Sequence, residues 1–292
     1  MSFEGFTLED IQLGDVRLRV RHGGSGPPLL LLHGCPQTHM MWGKIAGDLA
    51  RDFTVVAPDL RGYGRSSKPV AGDRQANYAK RAMAGDALAL MTHLGFPTLA
   101  VAGHDRGGRV AYRMALDHPE RVTRLSILDI VPTGEVWARA DHRMMLGYWH
   151  WAFLAQPAPF PERAIGATGA EAFFFEGMFR GSRAIFDDDA YADYAACLAD
   201  PETVRGICED YRAGAGIDRR LDWDQRGIAT IKCPVQILWG NLGAVGNWYD
   251  VLDLWSVWAP DLSGHGLDCG HFIPEEKPAE TLAAFREFFG EG

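Results

Sequence analysis

The 292-residue sequence predicts an α/β protein, with a mostly parallel sheet flanked by helices and a helical segment inserted between two strands. Three observations predict it. Pro28-Leu-Leu-Leu-Leu-His33 is a continuous apolar run, as expected of a strand covered on both faces, and Phe53 to Pro58 and Val122 to Ile130 read as further strands. Stretches of helical spacing separate those runs, which implies parallel βαβ units. From Pro132 to Asp224 the rhythm stops, and aromatic-rich helical stretches replace the strands.

In order, Phe6 to Leu13 and Val16 to His22 read as a hairpin at a sheet edge, the second run alternating with period two. The Pro28 strand ends in His33-Gly-Cys-Pro-Gln-Thr-His39, and a helix follows to about Arg51. After the strand at Phe53 comes a glycine-punctuated loop, Asp59-Leu-Arg-Gly-Tyr-Gly-Arg-Ser-Ser67, and then a helix over Tyr78 to Leu94. A buried strand at Leu99 to Ala102 leads through a turn into helical spacing over Val110 to Leu116. The insertion holds helical stretches at Val136 to Leu154, Glu171 to Arg180, Tyr191 to Ala199 and Pro201 to Ala213. The sheet resumes at Val235 to Trp239. A helix over Tyr249 to Trp258, a weak strand over Leu262 to Asp268 and a closing helix over Pro278 to Phe289 complete it. The division expected is a core of residues 1–131 and 225–292 with a helical cap of 132–224.

Gly103-His-Asp-Arg-Gly107 sits between strand and helix, the context of a nucleophile elbow of pattern G-x-S-x-G, with Asp105 where serine is usual. The glycines are expected to permit a strained turn that leaves one side chain alone at the strand tip. A carboxylate attacking an acyl group would give only a mixed anhydride. Asp105 suits displacement at a saturated carbon, so the substrate should carry a halogen or an epoxide. The resulting ester needs a water-activating base, and His271, just before the last helix, has the expected place in the chain. A histidine base needs a carboxylate to orient it. The loop Gly240-Asn-Leu-Gly-Ala-Val-Gly246 contains no acid, which leaves Asp129, at the end of Ser126-Ile-Leu-Asp129. Backbone N–H groups of Cys35 and Arg106 are the expected oxyanion donors.

Arg106 and Arg109 lie one and four residues after the nucleophile. Two rigid guanidinium forks there suggest an anionic substrate held by its carboxylate; the alternative is pairing with cap or core acids. An enzyme for neutral haloalkanes would carry an apolar or indole side chain in place of Arg106.

Composition bounds the partners. Apolar content of 47% and charged content of 23% are ordinary for a globular protein. A net charge of −9 argues against nucleic acid. No apolar run approaches a membrane span, and Met1-Ser-Phe-Glu-Gly-Phe lacks the pattern of a signal peptide. Cys35, Cys197, Cys208, Cys233 and Cys269 are scattered and odd in number, as expected of free thiols in the cytoplasm.

Gly-His-Asp-Arg-Gly-Gly-Arg109, together with Leu-His-Gly-Cys-Pro-Gln-Thr-His39, resembles the fluoroacetate (haloacetate) dehalogenases of the α/β-hydrolase superfamily. The likeness runs through the cap, at Tyr148-Trp-His-Trp-Ala-Phe-Leu-Ala-Gln-Pro157 and Cys208-Glu-Asp-Tyr-Arg-Ala213. It implies a halide pocket of His150, Trp151 and Tyr211, whose N–H and O–H groups would stabilise departing fluoride. It also implies hydrolysis of a small 2-haloacid to glycolate and halide without metal or organic cofactor, and a homodimer. The chain departs from the family at Cys35, where phenylalanine is frequent, and between Phe173 and Ile185, which has no tryptophan. Two rival readings share these residues. An epoxide hydrolase would use cap phenols among Tyr148, Tyr191, Tyr194 and Tyr211, and a non-catalytic member would only bind its ligand.

Overall fold

The computed structural model describes residues 3–180 and 182–290; Met1 and Ser2 of the N-terminal stretch, Gly181 of the cap and the last two residues lie outside them. Eight strands form one sheet in the order β1-β2-β4-β3-β5-β6-β7-β8. Strands β1 (Thr7–Leu13) and β2 (Val16–Gly23) make the antiparallel edge. Strands β3 (Pro28–Leu32), β4 (Thr54–Pro58), β5 (Leu99–His104), β6 (Val122–Leu128), β7 (Val235–Gly240) and β8 (Leu262–Leu267) are parallel. The continuous apolar runs are the inner strands: Leu29 to Leu32 and Val55 to Ala57 are wholly buried.

Helix α1 (Gly43–Leu49) follows β3, α2 (Lys80–His93) follows β4, and α3 (Arg106–Asp117) follows β5. Among the described residues no strand lies between β6 and β7, and the inserted cap is helical, as expected. Its detail differs from the sequence reading. The single stretch expected over Val136 to Leu154 is three short helices, α4 (Thr133–Ala138), α5 (His142–Gly147) and α6 (Trp149–Leu154). Asp141 caps α5 by accepting from the N–H groups of Arg143 and Met144, so a new helix starts where periodicity alone runs on. Between the stretches expected to end at Leu154 and to start at Glu171 lies a further helix, α7 (Phe160–Thr168), whose proline sits in the first turn, where its missing N–H costs nothing. Next come a π-helical turn (Ala172–Met178), α8 (Asp188–Leu198) and α9 (Pro201–Ala213). A second π turn (Gly214–Asp218) continues into α10 (Arg219–Gln225).

Beyond β7 the helix expected over Tyr249 to Trp258 is two, α11 (Ala244–Trp248) and α12 (Val251–Ser256). After β8 come α13 (Ile273–Glu276) and α14 (Pro278–Gly290). All five cysteines are buried and unpaired. Among the described residues, no helix is long and apolar enough to cross a membrane.

Candidate active site

Asp105 stands between the end of β5 and the start of α3 with φ 46° and ψ −112°, a conformation that costs a non-glycine residue about 1–3 kcal/mol. The strain of the expected turn lies on the aspartate itself. The glycines answer to close approach instead. A Cβ on Gly103 would lie 2.5 Å from the Gly107 carbonyl oxygen, and one on Gly107 would lie 2.2 Å from that of Leu32. Gly34 is bare for the same reason, since its Cβ would lie 2.8 Å from that of Asp105. The loop after β3 can then lie against Asp105, and the Cys35 N–H donates to Asp105 Oδ1 at 3.0 Å. Of the two expected oxyanion donors, this is the one bonded to the carboxylate. The Arg106 N–H makes no bond to it among the described residues.

Burial pushes the Asp105 carboxyl up, but His271, Arg106, His104 and Arg109 outweigh it and bring it down to about 2. It is ionised across the physiological range. His271 Nδ1 donates to Asp129 Oδ2 at 2.6 Å. Burial alone would lower the imidazole, yet the bond and charge of Asp129, with the charge of Asp105, raise it above its ordinary value. Asp129 follows β6 at φ 51° and is pinned from two sides. Its N–H donates to the Leu238 carbonyl at 2.8 Å, and its Oδ1 accepts from the Gly240 N–H at 2.9 Å. The loop after β7, which has no acid, thus supplies the amide that holds the acid of the neighbouring strand. Behind His271, His104 Nε2 donates to its carbonyl at 2.7 Å. Burial lowers His104 to about 3, so it is neutral.

Asp105, Asp129 and His271 line a cavity of about 90 Å³ with Tyr148, His150, Trp151, Met178, Phe179, Tyr211 and Ala244. Pockets for drug-sized ligands run to about 300–1,000 Å³, so this one suits only a few heavy atoms. The cap thus brings His150, Trp151 and Tyr211 to one wall; the His150 ring lies 5.9 Å and the Trp151 ring 6.2 Å from that of Tyr211. Burial lowers His150 to about 3, and its Nδ1 has no hydrogen-bond partner among the described residues. Tyr148 stacks on Trp151 with an interplanar angle of 2°, and Phe179 lies parallel to His271 at 10°.

The two arginines are not equivalent. Arg106 Nε donates to Asp210 Oδ2 at 2.7 Å, and its Nη2 donates to Asp210 Oδ1 at 3.0 Å. One of the pair therefore takes the alternative pairing with a cap acid. Only Nη1 of Arg106 is left, buried and without a partner among the described residues. Arg109, also buried, makes no ion pair among the described residues. Its Nη1 donates to the Val131 carbonyl and to Thr133 Oγ1, its Nε is free of partners, and it lies over the Trp151 ring at 4.6 Å.

Of the phenols considered for ring opening, Tyr148 and Tyr211 reach the cavity. Tyr191 is bonded to Glu171 and Tyr194 to Glu275, away from it. Sequence reasoning missed Phe179, Met178 and Ala244 as lining residues, and Asp210 altogether. Asp210 follows Glu209 in a helix that also carries Glu202, Arg205 and Arg212, so nothing in the local pattern sets it apart.

A strained strand–turn–helix elbow carrying an aspartate on a mostly parallel sheet, with an acid and a histidine beyond later strands, is the arrangement of a hydrolase of the α/β type. Residues 27–278 match the alpha/beta hydrolase fold family, and the chain belongs to it. Within that family it is a haloacetate dehalogenase-like member. It is 44% identical to a fluoroacetate dehalogenase of Burkholderia sp over 99% of this chain and 95% of that one. It is also 33% identical to a soluble epoxide hydrolase of Corynebacterium sp. (strain C12), over 99% of both chains. A solved structure described as a "putative alpha/beta hydrolase" from Nostoc sp PCC 7120 superposes with a TM-score of 0.96 at 45% identity, covering 99% of this chain and 100% of that one.

Proposed function

We propose that this protein hydrolyses a 2-haloacetate, such as fluoroacetate or chloroacetate, to the 2-hydroxy acid and halide. The observation that carries the reading is the single small cavity in which ionised Asp105, the His271–Asp129 pair and the His150, Trp151 and Tyr211 side chains meet. A buried guanidinium with no carboxylate partner among the described residues, Arg109, supports an anionic substrate, because such a charge is costly without a counter-ion.

In this reading Arg109 and the free Nη1 of Arg106 hold the substrate carboxylate. An Asp105 oxygen attacks the α-carbon, the carbon–halogen bond breaks, and halide leaves with the electron pair toward the donors of His150, Trp151 and Tyr211. Neutral His150 can donate through only one ring nitrogen. Water then adds to the Asp105 ester carbonyl as His271 takes its proton and Asp129 stabilises the imidazolium. The Cys35 N–H, already on Oδ1, receives the developing oxyanion. Collapse breaks the ester C–O bond, the imidazolium protonates the departing glycolate oxygen, and the remaining proton passes to solvent as the Asp105 carboxylate is restored. The cytoplasmic location and the homodimer belong to the same reading.

The second reading is an epoxide hydrolase, favoured by the two phenols on the cavity wall, Tyr148 and Tyr211. Halide release from fluoroacetate and chloroacetate, with Asp105→Ala as control, separates the cases. Halide from the parent and none from the variant is the expected result. Turnover of a small epoxide without halide moves the assignment to the second reading. Saturable binding without either reaction leaves a ligand-binding member.

A further inference from the structure

The Arg106 ion pair belongs to a larger buried cluster on the seam between core and cap. Asp210, on cap helix α9, is wholly buried and accepts from four donors at once. Arg106 supplies Nε and Nη2. Lys80 Nζ, from core helix α2, bonds to Oδ1, and the Tyr63 hydroxyl donates to Oδ2 at 2.6 Å. Asp218, on the second π turn, accepts from the Lys80 N–H at 2.9 Å, and its Oδ2 lies 3.7 Å from Lys80 Nζ. The groups facing Asp210 are therefore two cations and a phenol, with a second acid behind the lysine. The packing is tailored to the guanidinium too. A Cβ on Gly214 would lie 3.1 Å from Arg106 Nη2, and the Tyr211 ring covers the guanidinium at 4.3 Å.

A planar guanidinium gripped through Nε and Nη2 has one orientation, and Nη1 is the corner it leaves free. The carboxylate that does this also answers the charge of Arg106, so Arg106 retains direction where Arg109 retains net charge. Resting on the haloacetate reading, we propose that Asp210 is a positioning residue, which with Lys80 fixes Arg106 so that Nη1 meets the substrate carboxylate. Asp210 touches neither substrate nor the reacting atoms. It acts through Arg106, and because it sits on the cap, the contact exists only while α9 lies against the core.

The test compares chloroacetate with chloroacetamide, which carries the same carbon–chlorine bond and no charge, in the parent, Asp210→Asn and Lys80→Met. For Asp210→Asn the expected result is a KM for chloroacetate raised about tenfold, kcat changed less, and chloroacetamide kinetics near those of the parent. The acid-over-amide ratio of kcat/KM then falls by about the same factor. Lys80→Met, which leaves the Arg106–Asp210 contact in place but removes its support, should move the ratio the same way by less. A purely structural role would lower Tm and move both substrates together. An unchanged ratio in folded variants overturns the proposal. So does a lower KM for chloroacetate, which would make Asp210 a mere counter-charge. Should Asp210→Asn not fold, Lys80→Met decides alone, by the same ratio. If the parent releases no halide, the functional reading fails and this inference with it; halide with an unmoved ratio removes this inference only.

Discussion

The two walls of the cavity are held by different means. On the core wall, Asp105, Asp129 and His271 leave the ends of strands, and each is fixed through main chain: the Cys35 N–H on Asp105, the Gly240 N–H on Asp129, the His104 ring on the His271 carbonyl. On the cap wall, Tyr148, His150, Trp151 and Phe179 are held by rings against rings, with Trp137 and Trp248 behind them. Hydrogen bonds to backbone tolerate little displacement, whereas ring packing can be redistributed with small losses. The core wall should therefore set whether a covalent ester forms and is hydrolysed, and the cap wall which leaving group is released well.

The core wall has the larger effect to lose. In His271→Gln, Asp105 still attacks but no base activates water, so the expected outcome is one equivalent of halide and then arrest. Steady turnover should fall by about a thousandfold or more. Mass spectrometry of the intact protein should find a carboxymethyl group on Asp105; an unmodified variant would mean that His271 also serves the first step. The pH dependence separates the same two steps. Asp105 is ionised from about pH 2 upward, so the single-turnover halide burst should be flat through neutrality. In the proposed mechanism ester hydrolysis needs neutral His271, so kcat should rise with pH through its raised midpoint where that step limits the rate. Once Asp105 is an ester its charge no longer supports the imidazolium, so this midpoint lies below that of the free enzyme. Removing Asp129 as a charge, in Asp129→Asn, should lower it further.

On the cap wall the effect should be smaller and selective. Trp151→Phe removes one N–H while keeping a ring for Tyr148 and Arg109 to pack on. Single donors to a developing anion are worth about 10²–10³ in rate in the strongest cases. Fluoride, the poorer leaving group, has more need of one than chloride. The expected outcome is a fluoride-to-chloride ratio of kcat lowered about tenfold, with the breakdown of a preformed ester unaltered. Equal losses for both halides would assign Trp151 to packing and break the division between the walls.

How much of this is legible in the sequence follows the same division. The strands, the elbow and the Asp105–Asp129–His271 order could be read because each rests on local rules: continuous apolar runs, glycines at contacts too close for a Cβ, an acid at a strand end beside a loop without one. The cap resists such reading. Its helices are short and capped by single residues such as Asp141 and Asp200, and two of its turns are π-helical, which no 3.6-residue period predicts. The pairing of Arg106 with Asp210 crosses 104 positions of chain, and spacing cannot distinguish a guanidinium that waits for substrate from one already engaged.

The smallest expected effect lies away from the cavity, where cap and core are tied together. Glu275, on α13 of the core, is buried, accepts from the Tyr194 hydroxyl of the cap at 2.9 Å, and bonds to the Gln37 amide. Burial, partly offset by those bonds and by Lys44, raises it to about 8 from an ordinary value of 4.5. For an acid raised in the folded state, the contribution to stability is full below the unfolded value and is lost as pH rises through the folded one. Glu275 should therefore cost the fold little at pH 5 and most at pH 9. Glu275→Gln imitates the protonated acid, because the Gln37 amide can turn to offer its Oε1, which now has no partner among the described residues. Thermal melts should give the variant and parent nearly equal Tm at pH 5, and the variant a Tm higher by a few degrees at pH 9. If at pH 9 the fluoride-to-chloride ratio also shifts between them, the seam transmits strain into the cap wall. If only Tm shifts, the aromatic wall holds its geometry whatever the charge behind it.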